Sequence, residues 1–404
     1  MIFIKLTSFN NKSIIIRLNL KILITMSDIY QKSLKLHQEL QGKIEIKSKL
    51  HLKSKHELAL VYTPGVAQAC RVISKDEKQA KKLTLKANTV AVISDGSAVL
   101  GLGNIGPLAA IPVMEGKAML FKEFANINAF PICLNTQDET EIVNTIKNIA
   151  PVFAAINLED ISAPRCFSIE KRLKEELDIP VMHDDQHGTA TVVLASLINA
   201  IRVRNCKKEE IKIVISGAGS AGSAITDLLR QYGFKNIIVC DREGAIYLNR
   251  ANLSVSKNWL ASISNPFQEQ GPLSKVIQGA DAVIGVSAPG LINQDMIRSM
   301  ANKAIVMALA NPLPEIMPDE AKKAGAYIVA TGRSDFPNQV NNVLAFPGIF
   351  KGAIDNRVKQ ITDKMLIQAA ISLASLVENP SAENILPDLF DPQVVICVSQ
   401  AIKD

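Results

Sequence analysis

Pro151-Val-Phe-Ala-Ala-Ile-Asn-Leu-Glu-Asp160 is an apolar run that stops on two acids, and Ile179-Pro-Val-Met-His-Asp-Asp185 repeats the arrangement. Both runs read as buried strands, and Ser168–Leu177 between them reads as an amphipathic helix. That is a βαβ unit. Its strands should lie parallel and close together, so Glu159-Asp160 and Asp184-Asp185 emerge at the carboxyl edge, where open α/β sheets bind ligands. Carboxylates crowded there repel one another unless a cation joins them. Oxygen-only donors suit Mg²⁺ or Mn²⁺ better than Zn²⁺. Taken alone, the doublets fit helix capping and solvated strand ends as readily.

Working outward, residues 26–186 carry further strand-like runs, Thr89–Asp95 and Phe130–Leu134. At Gly188–Ile201 a long apolar helix begins and leads into residues 187–404. There, runs at Ile211–Ser216, Asn236–Cys240, Asp281–Ser287, Ala304–Ala310 and Ala326–Ala330 alternate with helical segments. Such alternation implies a doubly wound parallel sheet. The expected fold class is therefore α/β with two domains: an N-terminal α/β domain over 26–186, holding the metal candidates, and a Rossmann-type domain over 187–404 with helices at its C-terminal end. Residues 1–25 contain no Asp or Glu. They read as a disordered extension or an upstream start, against a transit peptide or a secretory signal.

Composition narrows the function classes. The 404 residues are 48% hydrophobic and carry a formal charge of +6. Residues 1–55 hold eleven Lys and Arg against three acids, a net of +8, which leaves −2 for the remainder. With only 5% aromatic residues as well, nothing suggests a nucleic-acid surface. No stretch reads as a membrane span. The six cysteines form no C-x-x-C spacing and read as buried thiols of a reducing compartment, which fits a cytoplasmic enzyme, or an organellar-matrix one if residues 1–25 were a transit peptide.

Two G-x-G-x-x-G matches differ in context. Gly217-Ala218-Gly219-Ser220-Ala221-Gly222 follows the strand Ile211–Ser216, opens a helix, and is followed by a strand ending at Asp241. A dinucleotide needs this order: glycines allow the turn and the close approach, the helix N-terminus meets pyrophosphate, and the acid accepts from a ribose hydroxyl. Gly101-Leu-Gly103-Asn-Ile-Gly106 is followed by Pro107 and has no such partner strand, so it reads as a turn.

Tyr62-Thr-Pro-Gly-Val-Ala67, Ser94-Asp-Gly-Ser-Ala-Val-Leu-Gly-Leu-Gly-Asn-Ile-Gly106, Pro112-Val-Met-Glu-Gly-Lys117, Leu158-Glu-Asp160, Asp184-Asp-Gln-His-Gly-Thr189, Ala310-Asn-Pro312 and Asn341-Asn342 stand in one order along the chain. In that order the sequence resembles the malic enzymes, in their short bacterial type without the acetyltransferase-like extension, from about residue 30 to 350. It departs from the long animal type at Ser97-Ala98, where that type has an arginine that helps bind substrate.

The resemblance implies oxidative decarboxylation of (S)-malate to pyruvate and CO₂ with a nicotinamide acceptor, in at least a homodimer. It assigns the proton-accepting base to Lys117, its orienting partner to Asp184, and the acid that protonates enolpyruvate to Tyr62. Apolar neighbours Ala118–Phe121 should lower the Lys117 pKa by desolvation. The resemblance assigns the Mg²⁺ or Mn²⁺ ligands to Glu159, Asp160 and Asp185, a place at the nicotinamide or substrate to Asn311, and a substrate contact to Asn341. It gives His183 and His187 no ligand role. Asp241 and Glu243 favour NAD by repelling a 2′-phosphate, whereas Arg242 points to NADP as the alternative. Two other classes remain at this stage: a metal-independent hydroxy-acid or amino-acid dehydrogenase, and a non-catalytic nucleotide-sensing module.

Overall fold

A computed structural model of the chain describes residues 28–403. The contacts form two units, one ending at His51 and one running from Leu52. In the first, residues 28–40 are helical and the segment up to His51 is irregular. The extension read over residues 1–25 lies outside the described residues.

The second unit is built on two sheets. The first has the order β2-β1-β3-β4, all parallel: β1 (Thr89–Ser94), β2 (Asn128–Cys133), β3 (Ala155–Leu158) and β4 (Val181–His183). The helix Arg165–Glu176 joins β3 to β4, so the expected βαβ unit is present. Its first strand is shorter than expected. Ala150–Val152 form a 3₁₀ turn closed by Phe153 N–H on the Ala150 carbonyl, and the strand starts only at Ala155. Pro151 explains this, since it has no N–H to give a ladder and its fixed φ suits a turn.

The second sheet has β5 (Lys212–Ser216), β6 (Asn236–Asp241), β7 (Gly244–Ala245), β8 (Ala282–Gly285), β9 (Ile305–Ala308) and β10 (Ile328–Thr331) in the order β10-β9-β8-β5-β6-β7. All pairs are parallel except β6 with β7. Read from β7, the order starts at the third strand, runs back to the first at β5, then crosses to the fourth, fifth and sixth. That is the dinucleotide-binding arrangement, with its switch point beside β5. Side chains alternate across this sheet: Ile213, Ile215, Ile237 and Val239 enter one core, and Val214, Ile238 and Cys240 the other. The period of two is what a sheet covered on both faces requires.

Five helices matter for the site: α1 (Lys55–Val61), α2 (Gly106–Ala125), α3 (Arg165–Glu176), α4 (Asp184–Arg204) and α5 (Ser220–Tyr232). Helix α4 starts at Asp184 rather than at Gly188, so the second acidic doublet is its first turn, where negative charge complements the helix dipole. Its apolar body packs along α5, and Val192, Val193, Leu194 and Leu197 join one continuous core with Val90, Val92 and Ile215. Among the described residues no helix is long and apolar enough to cross a membrane. The six cysteines are all free thiols; Cys166 and Cys240 are buried, but Cys70 is exposed, because α-helix Val66–Lys75 buries none of its residues.

Candidate active site and metal centre

Parallel pairing sets Leu158 of β3 opposite His183 of β4. The residues that follow each strand therefore leave the sheet level with each other, and the two acidic doublets meet. Glu159, Asp160 and Asp185 each bring one carboxylate oxygen to within 4.8 Å of the others. Asp160 holds φ 54°, the left-handed region that Asp tolerates better than most residues, and its backbone N–H donates to Asp185 Oδ2 at 2.8 Å. Asn157 donates to Glu159 Oε2 at 2.9 Å.

Lys117 enters from α2. Its Nζ lies 2.6 Å from Asp184 Oδ2, 2.9 Å from Glu159 Oε1 and 4.1 Å from the centre of the Phe346 ring. Ala118 and Phe121 pack in the core beside it, and Phe121 meets Phe346 and Phe350 edge-on at 4.7 and 5.2 Å. Gly188, one turn further along α4, leaves room for the Asp184 carboxylate: a Cβ there would stand 1.8 Å from Asp184 Oδ1.

Buried charge of one sign dominates the electrostatics. Burial raises the Glu159 carboxyl above its usual range. Burial, together with Asp185 and Glu159, pushes Asp160 up to about 9. Burial likewise pushes Asp184 and Asp185 up to about 6. For Lys117 burial favours the neutral amine, yet Asp184 and Glu159 outweigh it and hold the ammonium above its ordinary value. The expected depression by apolar neighbours is therefore corrected: two carboxylates in contact override the desolvation that Ala118 and Phe121 contribute.

The residues fit a hard divalent ion. The donor set is all oxygen, three carboxylates converge, and Asp160 Oδ2 is buried with no hydrogen-bond partner. An orphaned buried carboxylate oxygen is costly unless something else takes its charge.

A supporting layer escaped the sequence reading. Asp95, at the end of β1, accepts from Arg165 Nη2 at 2.9 Å, Ser97 N–H at 2.9 Å and Ser97 Oγ at 2.5 Å. Ser97 Oγ in turn accepts from Ser162 N–H at 2.9 Å, and Ala98 N–H donates to the Asp160 carbonyl at 3.0 Å. Ser97-Ala98 thus brace the loop that carries Asp160. The usable signal was Asp95 standing where an apolar run ends, as the doublets do. His183 is buried with neither ring nitrogen hydrogen-bonded, its Nδ1 3.7 Å from Asp185 Oδ2.

At the dinucleotide loop each glycine has its own reason. A Cβ on Gly217 would stand 2.5 Å from the Val286 carbonyl, and one on Gly222 would stand 1.9 Å from the Gly217 carbonyl. A Cβ on Gly219 would meet nothing within 4 Å. The first and third glycines serve the turn and the packing, and the second leaves open space before the α5 N-terminus at Ser220. Ala218 and Ala221 pack against the core beneath the loop. The loop Gly101–Gly106 is different: a Cβ on Gly101 would strike the Asn311 carbonyl at 2.2 Å, so this loop leans on the segment carrying Asn311.

Asp241 ends β6 as expected, but its carboxylate is occupied. Oδ1 accepts from Glu243 N–H and Arg250 Nη1, both at 3.0 Å. Oδ2 accepts from Lys257 Nζ at 2.6 Å and from Arg250 Nη2. Four donors fill the roughly four acceptor sites of a carboxylate. Burial raises the Asp241 carboxyl, but Arg250 and Lys257 outweigh it and bring it down to about 2. Arg242 is exposed beside it.

The remaining assignments are scattered. Asn311 is exposed, with its side chain against Gly332. Asn341 caps a 3₁₀ turn by accepting from Val343 N–H at 3.0 Å. Tyr62 closes α1 and is 66% exposed, so it is not packed into the Lys117 cluster.

The chain also matches known proteins over most of its length. Residues 41–174 match the family model of the malic enzyme N-terminal domain, and residues 186–402 that of the malic enzyme NAD-binding domain. The chain is 54% identical over 365 residues to the NAD-dependent malic enzyme of Geobacillus stearothermophilus, covering 90% of this chain and 76% of the relative. It is 52% identical over 375 residues to the bifunctional malic/malolactic enzyme of Bacillus subtilis, covering 92% of each. The crystal structure of the NAD-dependent malic enzyme of Thermotoga maritima superposes with a TM-score of 0.89 at 48% identity, covering 92% of this chain and 98% of that one. Two matching domain models, close relatives over nine-tenths of the chain and a shared fold together establish that this oxidoreductase belongs to the malic enzyme family.

Proposed function

We propose that the protein catalyses the divalent-metal-dependent oxidative decarboxylation of (S)-malate to pyruvate and CO₂ with reduction of NAD, NADP being the alternative acceptor, and that it decarboxylates oxaloacetate as a partial reaction. The observation that carries this reading is the meeting of three carboxylates, one oxygen of them orphaned, with a buried lysine. In this reading residues 26–186 hold metal and substrate, and residues 187–404 hold the dinucleotide on Gly217–Gly222.

With a cation on Glu159 drawing off part of the charge that holds its ammonium, Lys117 becomes available as the neutral amine that accepts the C2 hydroxyl proton, and Asp184, 2.6 Å away, orients it. Glu159, Asp160 and Asp185 would hold Mg²⁺ or Mn²⁺, which when bound would supply Lewis acidity to the oxidation and the decarboxylation. NAD supplies the hydride acceptor. Tyr62 protonates C3 of enolpyruvate. Asn311 and Asn341 position the substrate and the nicotinamide. Asp241 supports NAD by occupying Arg250 and Lys257, which would otherwise be free to pair with a 2′-phosphate. The name of the Bacillus subtilis relative favours a second outcome, reduction to lactate on the same site, so lactate is assayed with pyruvate. A cytoplasmic homodimer completes the proposal, with malate as the small-molecule partner and neither nucleic acid nor membrane. The free thiols support that compartment, and the exposed Leu60 and Val61 of α1, with Tyr62 at its C-terminal cap, support a second copy.

Asp185→Asn removes a charged ligand and is expected to abolish Mn²⁺-dependent turnover while NAD binding, read by calorimetry, stays near wild type. Full wild-type activity in excess EDTA would refute the metal reading.

Lys117→Ala is expected to lose malate oxidation by about 10²–10⁴-fold, while Tyr62→Phe chiefly impairs protonation of enolpyruvate. Malate oxidation and oxaloacetate decarboxylation are measured for both variants, and a wild-type rate in either one withdraws that residue's role.

Asp241→Ser releases Arg250 and Lys257 toward a 2′-phosphate. The ratio of KM for NADP to KM for NAD is expected to fall about tenfold, the equivalent of ~1.4 kcal/mol, with KM for malate unchanged. An unchanged ratio counts against Asp241 as the cofactor selector.

Light scattering on the purified chain is expected to give twice the 43.9 kDa chain mass or a higher multiple; a monomer at working concentration would remove the oligomer from the proposal.

A further inference from the structure

Asp184 and Asp185 share one short turn between β4 and α4, yet they serve different partners, Lys117 and the carboxylate cluster. His183 gives this helix no side-chain cap. A carboxylate from outside the site holds the turn. Glu170, on α3, is 6% exposed and reaches across to it. Its Oε1 accepts from His183 backbone N–H at 3.0 Å. Its Oε2 lies 3.0 Å from His187 Nε2, which can donate to it, and accepts a longer bond of 3.5 Å from Gln186 Nε2. Residues 183, 186 and 187 bracket the two aspartates, so one carboxylate grips both ends of the segment that carries them.

We propose that Glu170 is a positioning residue, which fixes the β4–α4 turn so that Asp184 meets Lys117 and Asp185 meets the metal ion. The inference rests on the metal reading of Glu159, Asp160 and Asp185. Glu170 itself touches none of these groups. Burying a carboxylate costs more than a simple stabilising contact returns unless it is fully partnered, and here Lys174 Nζ at 2.9 Å completes the set. Burial works against its charge, but His187 and Lys174 outweigh it and keep Glu170 ionised. Partners of ligating residues in this second layer typically set metal affinity by about 10–100-fold.

The test is direct Mn²⁺ binding, followed by electron paramagnetic resonance of the free ion, on wild type and on Glu170→Gln and Glu170→Ala. The Mn²⁺ dissociation constant is expected to rise about 10–100-fold in Glu170→Ala and less in Glu170→Gln, which keeps an acceptor for His183 N–H. Binding of NAD by calorimetry is expected to stay within about twofold, which separates a positioning role from general loosening of the fold. His187→Ala removes one side of the grip and serves if the Glu170 variants do not fold; its Mn²⁺ constant is expected to rise severalfold. Wild-type Mn²⁺ affinity in a folded Glu170→Ala, or in His187→Ala when the Glu170 variants are unfolded, overturns the inference and leaves the metal reading intact. A wild-type protein that binds no Mn²⁺ overturns both.

Discussion

Four carboxylates and one ammonium share the buried edge of the first sheet, and their balance governs the site. Glu159, Asp160, Asp184 and Asp185 face Lys117, so full ionisation leaves an excess of three negative charges. Water screens charge weakly in so buried a place, where only Asp185 of the four is part-exposed. The protein alone meets the excess by holding protons, as the upward shifts of Asp160 to about 9 and Asp185 to about 6 express. An acid whose folded pKa lies above its unfolded value binds more protons when folded, so stability falls as pH rises through that window. For Asp160 the window runs from the usual 3.8 to about 9. A divalent cation would offset two of those three charges at neutral pH and displace protons, which would link metal loading to folding.

The same balance explains why Lys117 departs from the sequence expectation. Apolar neighbours alone would favour a neutral amine, and Ala118 and Phe121 are indeed buried beside it. Two touching carboxylates reverse the sign. One of them, Glu159, is also a proposed metal ligand, so a cation there draws off part of the charge that holds the lysine protonated. Asp184 then remains as its partner. In the proposed reading base strength and metal occupancy are coupled through Glu159, and neither can be read from the residues next to Lys117 in sequence.

The frame was legible because its signals are local. Apolar runs ending in acids gave β3, β4 and their parallel pairing, and a strand, a glycine loop and a helix gave β5 and α5. What failed needed tertiary information. Pro151 joined an apolar run yet turned into a 3₁₀ helix. Glu170 sits in a mixed run of Glu, Lys and Arg that reads as an ordinary charged helix, and only folding brings it under His183. Asp241 matched the dinucleotide pattern, but Arg250 and Lys257, nine and sixteen positions on, return to occupy it. Tyr62 matched its motif, and its exposure was not readable from that motif.

Helix α4 ties the two sheets into one device. Its first turn supplies Asp184 and Asp185 at the edge of β4, and its buried body packs along α5, the helix whose N-terminus opens at Gly219. Hydride transfer tolerates little error in the distance between donor and acceptor, and an error of about 1 Å can cost on the order of 10²-fold in rate. A continuous helix, buried on most of its faces, transmits position with little compliance, because close-packed cores resist deformation. The carboxylate cluster and the glycine loop are therefore held in register by one rigid element. That makes the α4 N-terminal turn, and whatever fixes it, the point where small structural errors reach both halves of the site.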